Sequence, residues 1–133
     1  MIHGDLHHYN FLFHGKELTL IDFGDAEYHW FAYDIAIAIY HTAQIVQAGP
    51  ERMEFVRSFF NSFMNGYVRA NSNTEFISQI DYFIDYRHLF SYTYHSIYSD
   101  KSQLTEQNLA YLRQMRLDLI NEVSFLGCSV LNY

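Results

Sequence analysis

The sequence predicts an α+β fold that is predominantly α: one short β-hairpin near the N-terminus, then about four helices, in a single domain of residues 1–133. Three observations carry that prediction. Two short apolar runs, "NFLF" and "LTLID", flank the glycine-bearing "HGKE" early in the chain. After Ala26 the apolar spacing becomes helical and stays so. Half of the 133 residues are hydrophobic and 19% are aromatic, enough for a packed core and too much for a disordered chain.

The elements follow in order. Gly15 supplies the turn of the hairpin, so residues 1–28 hold the hairpin with its leading loop and residues 29–133 form the helical block. Residues 31–47 are mostly apolar and predict a buried helix ended by Gly49-Pro50. Pro50 opens a second helix to about Ala70, with Phe55, Phe59, Phe63 and Tyr67 recurring every four residues. "NSNT" is a loop with Asn73 as N-cap. A third helix over 74–98 carries the stripe Phe76, Ile80, Phe83, Phe90, Tyr94 and Ile97. "SDKSQ" breaks it, and the last helix runs from about Thr105 to Leu126, where Gly127 is the expected C′ residue.

Charge and cysteine usage narrow the function. Eight basic against 15 acidic residues leave a net charge of −7, which argues against unassisted nucleic-acid binding, since that rests on basic patches. The apolar run "WFAYDIAIAIYHTA" contains Asp34 and His41 and is too short to span a bilayer, so no membrane partner is expected. The single Cys128 excludes an internal disulfide framework. With no cationic-then-apolar leader visible, the expected location is the cytoplasm.

Two stretches carry chemistry: "HGDLHHYN" at 3–10 and "LTLIDFGDA" at 18–26. Phosphoryl transfer needs one carboxylate to hold an acceptor hydroxyl and take its proton, and further oxygen ligands for magnesium. Asp5 and Asn10 stand in the order H-x-D-x-x-x-x-N, and Asp22 opens "DFG" after an apolar strand. The hairpin between them returns the second motif to the side of the first. Either motif alone marks an ordinary turn; the pair, in order and context, is far more specific.

The stretch "HGDLHHYNFLF…LTLIDFGDAEYHWFAYDIA" resembles the aminoglycoside phosphotransferase, choline kinase-like and homoserine kinase-like family of the protein-kinase-like fold. The resemblance is strong over residues 2–36 and architectural afterwards. It implies the C-terminal lobe of that fold, acting on a small-molecule hydroxyl with ATP and Mg2+. It implies Asp5 as catalytic base, Asn10 and Asp22 as metal ligands, His3 as a brace of the catalytic loop, and Asp34 as the helix-borne tether beneath it. A carboxylate in an apolar helix must be paired, and the backbone N–H groups near His3–Asp5 are the natural partners of Asp34. Asp25 is a candidate outer support, with an ordinary acidic loop residue as the alternative. Where many relatives carry a "GDP"-like segment, this chain reads His29-Trp30-Phe31, which leaves the acceptor open.

The sequence holds two further clusters of polar side chains. His7, His8, His14 and His29 fit no closed zinc spacing. Asp81, Asp85, His88, Tyr92 and His95 share one face of the third helix, and Asp81, Asp85 and His88 are candidate acceptor-binding residues, against the reading of a plain solvated face.

The resemblance also implies a smaller nucleotide-binding lobe, of which the chain shows no G-x-G-x-x-G and no lysine beyond Lys16 and Lys101. The expectation is therefore a truncated catalytic lobe, inactive alone. Exposed apolar residues such as Ile2, Leu12, Leu20 and Ile21 would be covered by a homodimer partner or an N-terminal lobe. The competing reading is a non-catalytic relic or interaction domain that keeps the fold.

Overall fold

The computed structural model describes residues 1–131 and has the order β-hairpin, then four α-helices. β1 (Phe11–His14) and β2 (Glu17–Leu20) pair antiparallel, with Phe11 opposite Leu20 and His14 opposite Glu17. The connection is the two-residue Gly15-Lys16 turn, and Gly15 takes the positive φ of 61° that such a turn demands. The pairing extends past the strand ends: the Ile21 N–H donates to the Asn10 carbonyl at 3.0 Å.

α1 (Phe31–Ala43) is the centre of the core. Its Ala32, Tyr33, Ile35, Ala36, Ile37, Ile39 and Ala43 are buried, as expected of a helix that is apolar nearly all round. It ends four residues earlier than predicted, because the Val46 carbonyl turns out to accept from Arg52 Nε at 2.9 Å and Gln44 caps onto His41. α2 (Pro50–Ala70) begins at proline as expected. Its buried face is Val56, Phe60 and Met64, with Phe59, Phe63 and Tyr67 packed at the flank and Phe55 exposed. The inward ladder is thus the one beside the aromatic ladder singled out from the sequence.

α3 (Ile80–Tyr98) starts six residues later than predicted. Asn71 and Asn73 close turns on the backbone N–H groups of Asn73 and Glu75, and a 3-10 turn at Ile77–Gln79 leads in. Ile80, Phe83, Ile84 and His88 are buried, whereas Phe90, Tyr94 and Ile97 are exposed. α4 (Glu106–Ile120) opens on a capping box between Thr105 and Asn108. It stops at Ile120 and not at Leu126: Glu122 adopts φ 54°, and the Val123 and Glu122 N–H groups return to the Asp118 and Leu119 carbonyls in a Schellman motif. The segment beyond it folds back, with Leu126 and Val130 in the core. Cys128 is exposed. No helix among the described residues is long and apolar enough to cross a membrane.

Candidate active site

The loop at residues 3–10 is pinned from three sides. Ile2 pairs with Glu27 in an antiparallel bridge, through N–H···O bonds of 2.8 and 3.3 Å, and is buried. Ile2 is therefore core, not one of the exposed apolar residues expected to need a partner. Gly4 has φ 83°, and a Cβ there would stand 2.2 Å from the Asp25 carbonyl oxygen, so only glycine lets the loop lie against the turn at 23–25. From the first turn of α1, Asp34 accepts the His3 N–H at 2.8 Å and the Gly4 N–H at 3.0 Å.

His3 links the loop to the second motif. Its Nε2 lies 2.9 Å from the Ile21 carbonyl, so that nitrogen carries the proton and donates. Its Nδ1 is left to accept the Asp5 N–H at 3.3 Å. The ring also packs on Phe23, at 4.8 Å between centroids.

These contacts present the Asp5 carboxylate. Its Oδ2 accepts from His7 Nε2 at 2.9 Å and from Asn10 Nδ2 at 3.2 Å; its Oδ1 accepts from an Arg87 guanidinium nitrogen at 3.2 Å. Asn10 Nδ2 also donates to the Asp5 carbonyl at 2.8 Å. Both amide hydrogens of Asn10 are then committed, and its uncommitted atom is the oxygen Oδ1. Asp22 sits one residue past Ile21, the residue whose N–H meets the Asn10 carbonyl. It holds the left-handed conformation (φ 62°, ψ 64°), a strained choice for a non-glycine residue, and its carboxylate has no hydrogen-bond partner among the described residues. Two free oxygen ligands at one end of a hairpin suit a hard cation that keeps water or phosphate for its other positions. They do not suit zinc, and among the described residues no cluster of three or more His, Cys, Asp or Glu could hold a metal alone, so the histidines of the loop and hairpin form no such site.

Asp5 opens into a cavity of about 690 Å³ between the loop, α1 and α3. Asp25, Glu27 and His29 line one side, Tyr33 and His41 the α1 side, and Tyr86, Arg87, Phe90, Ser91, Tyr94 and His95 the α3 side. Three carboxylates face one guanidinium, which is itself committed to Asp5. Burial, then the neighbouring Arg87 and His7, push the His41 pKa down to about 4, so its imidazole is neutral near pH 7. Burial raises the Tyr33 phenol, against the opposing effect of Arg87.

Asp81, Asp85 and His88 are placed elsewhere. Asp81 accepts from the Ser129 hydroxyl and the Val130 N–H, and Asp85 accepts the Phe125 N–H at 2.8 Å, so both tie down the segment after α4. His88 is buried against Tyr40 and Phe125, its pKa lowered by that burial. None of the three lines the cavity; of that predicted face only His95 does. The cavity wall is a different face of α3, carrying Tyr86, Arg87, Phe90, Ser91 and Tyr94. Sequence reasoning missed Arg87, His41 and Glu27. One signal was present for Arg87: it is the only Lys or Arg between Asn71 and Asp100.

Comparison with known proteins places this geometry. The profile of the phosphotransferase enzyme family (APH) matches residues 1–73. An amicoumacin kinase from Bacillus subtilis (strain 168) is 30% identical over 123 residues, covering 91% of this chain and 37% of that protein. The solved structure of amicoumacin kinase hAmiN in complex with AMP-PNP, Ca2+ and Ami superposes with a TM-score of 0.85 and 29% identity, over 97% of this chain and 39% of that one. The chain thus spans well under half the length of the relatives it matches. With the motif pair, the hairpin and the helical block all present, this chain belongs to the APH phosphotransferase enzyme family, with the kinase-like fold of amicoumacin kinase.

Proposed function

We propose that this chain provides the catalytic base, the metal ligands and the acceptor cleft of an ATP-dependent phosphotransferase acting on the hydroxyl of an amine-bearing small molecule. The observation that carries the reading is the Asp5 carboxylate, fixed by His7, Asn10 and Arg87 at the edge of the 690 Å³ cavity, with the free oxygens of Asn10 and Asp22 beside the same loop. Asp5 holds the acceptor hydroxyl and takes its proton as the phosphoryl group arrives. Asn10 and Asp22 would hold Mg2+, which when bound neutralises phosphate charge. His3 and Asp34 keep the loop in register, and Asp25 stands against Gly4 as outer support. Asp25 and Glu27 in the cavity wall, with no ion-pair partner among the described residues, favour a cationic acceptor over an anionic one.

The groups that grip the β- and γ-phosphates come, in this reading, from a region outside residues 1–133: Lys16 sits in the hairpin turn and Lys101 in the turn after α3. The 133-residue chain alone then turns over far below about 1 s⁻¹, the lower end of kinase rates. The exposed free Cys128 suits a reducing compartment such as the cytoplasm.

The test is phosphate transfer from ATP to amicoumacin as probe, by the chain alone and mixed with the N-terminal region of amicoumacin kinase. Transfer in the mixture, abolished by Asp5→Asn, supports the reading. A mixture that binds nucleotide and Mg2+ but transfers nothing to amicoumacin or to any amino alcohol offered points to a non-catalytic domain.

A further inference from the structure

We propose that Arg87 is a positioning residue for the catalytic carboxylate, holding Asp5 Oδ1 from the helical side so that one lone pair of that oxygen faces the cavity. Each carboxylate oxygen accepts about two hydrogen bonds. Oδ2 is filled by His7 Nε2 and Asn10 Nδ2, both from the loop itself. Oδ1 has a single donor, an Arg87 guanidinium nitrogen at 3.2 Å. The remaining site on Oδ1 is the one open to an acceptor hydroxyl, and Arg87 sets its direction.

Arg87 is itself lodged, not free to follow a ligand. Its side chain is 12% exposed. The same guanidinium nitrogen lies 3.3 Å from His41 Nε2, so its two hydrogens go one to Asp5 and one to a ring on α1. That second bond requires a neutral His41 that accepts at Nε2, which is the state its burial maintains. The guanidinium lies over the Phe90 ring, 5.1 Å from its centroid. Its Nε is buried without a partner among the described residues, so the group sits where Asp5 and His41 need it at the expense of one of its own donors. The ring of His41 also packs on His7, 4.8 Å between centroids, so α1, α3 and the loop meet at one carboxylate. Lysine would keep the charge but not the planar, longer fork.

The functional arm of the test rests on the reading above and uses its complemented mixture, with ATP and amicoumacin. Arg87→Met is expected to lower kcat about a hundredfold, the scale of a misplaced catalytic group. KM for ATP and for amicoumacin should stay near wild type, and Arg87→Lys should restore only part of kcat. A raised amicoumacin KM at unchanged kcat would make Arg87 an acceptor-binding residue and overturn the proposal, as would wild-type kcat in Arg87→Met. A second arm needs no activity. In 15N-labelled 133-residue chain, the Arg87 guanidinium hydrogens should give resolved, slowly exchanging NMR signals that collapse in Asp5→Asn. Signals identical in the two proteins overturn the proposal, whether or not the mixture transfers phosphate. A silent wild-type mixture with the NMR coupling intact rejects the function and leaves the Arg87–Asp5 arrangement standing.

Discussion

Asp34→Ala removes the α1 side chain that holds the backbone of the 3–10 loop at His3 and Gly4. Two buried donors, the His3 and Gly4 N–H groups, lose acceptors at 2.8 and 3.0 Å. A hydrogen bond to a charged group contributes ~1.5–3 kcal/mol net, and an orphaned buried donor costs a similar amount. The two bonds share one half-buried carboxylate that water can partly replace, so the pair is worth ~2–4 kcal/mol, at the lower end of their sum. Loss of an acid from the first turn of α1 adds ~0.3–1 kcal/mol through the helix dipole. For a chain of this size the combined loss lowers Tm by about 10 °C. Asp34→Asn separates the two contributions. It keeps one oxygen for one N–H but turns an amide NH2 toward the other, so it should lose nearly as much as alanine. Circular dichroism melts at pH 7 and low salt give the measurement. A loss below about 1 kcal/mol in both variants would leave only the dipole, and the tether would be refuted.

Four further outcomes are expected. Gly4→Ala should cost on the order of 3–5 kcal/mol, since its Cβ meets a backbone carbonyl at 2.2 Å with φ at 83°; a melt matching wild type would contradict the close approach. His41, at about 4 when folded and 6.5 when unfolded, binds fewer protons in the native state between those values, so its contribution is complete above pH 6.5 and is lost as pH falls through 6.5 toward 4. Denaturant titrations at pH 7 and 4.5 should show on the order of 2 kcal/mol less acid destabilisation in His41→Asn than in wild type, and equal slopes would exclude the effect. Asp85→Ala should lower stability by ~1–2 kcal/mol through the freed Phe125 N–H, with amicoumacin KM in the complemented mixture unchanged; a raised KM at wild-type stability would return Asp85 to the acceptor site. Sedimentation velocity of the isolated chain at micromolar concentration should show a dimer covering the exposed Leu12 (55%), Phe13 (78%) and Leu18 (54%) of the hairpin, and a single monomer-mass species would remove that expectation.

Legibility in the sequence follows the range of the interactions. The loop and hairpin were readable because their chemistry is local: Asp5, His7 and Asn10 lie within five positions of one another, and a two-residue turn fixes the register that returns Asp22 beside them. The tether was readable as well, since a carboxylate in the apolar run of α1 has to find donors, and the nearest loop supplies them. Helix ends were read less well. α4 stops on a left-handed Glu122, a position where glycine is the usual signal, and the sequence offered Gly127 instead. In α2 two ladders of period four lie side by side, and periodicity gives no reason to prefer Val56, Phe60 and Met64 over the larger aromatics beside them.

α3 shows why the far wall of the cavity stayed hidden. At 19 residues it outruns the 13-residue α1 by about 9 Å, using 1.5 Å per residue. Its first half is therefore clamped on α1, and there Ile80, Phe83, Ile84 and His88 are buried. Farther along, Phe90 and Tyr94, which belong to the same apolar stripe by spacing, face the cavity. A stripe read as continuous core is in fact divided between core and site. The same geometry puts Arg87 at the dividing point, between buried Ile84 and exposed Phe90, where a long cation can reach out of the packed region to a carboxylate 82 positions away. No local pattern encodes that distance. A cation isolated in an aromatic helix, in a chain whose loop motif already singles out one carboxylate, marks a position to examine as that carboxylate's partner.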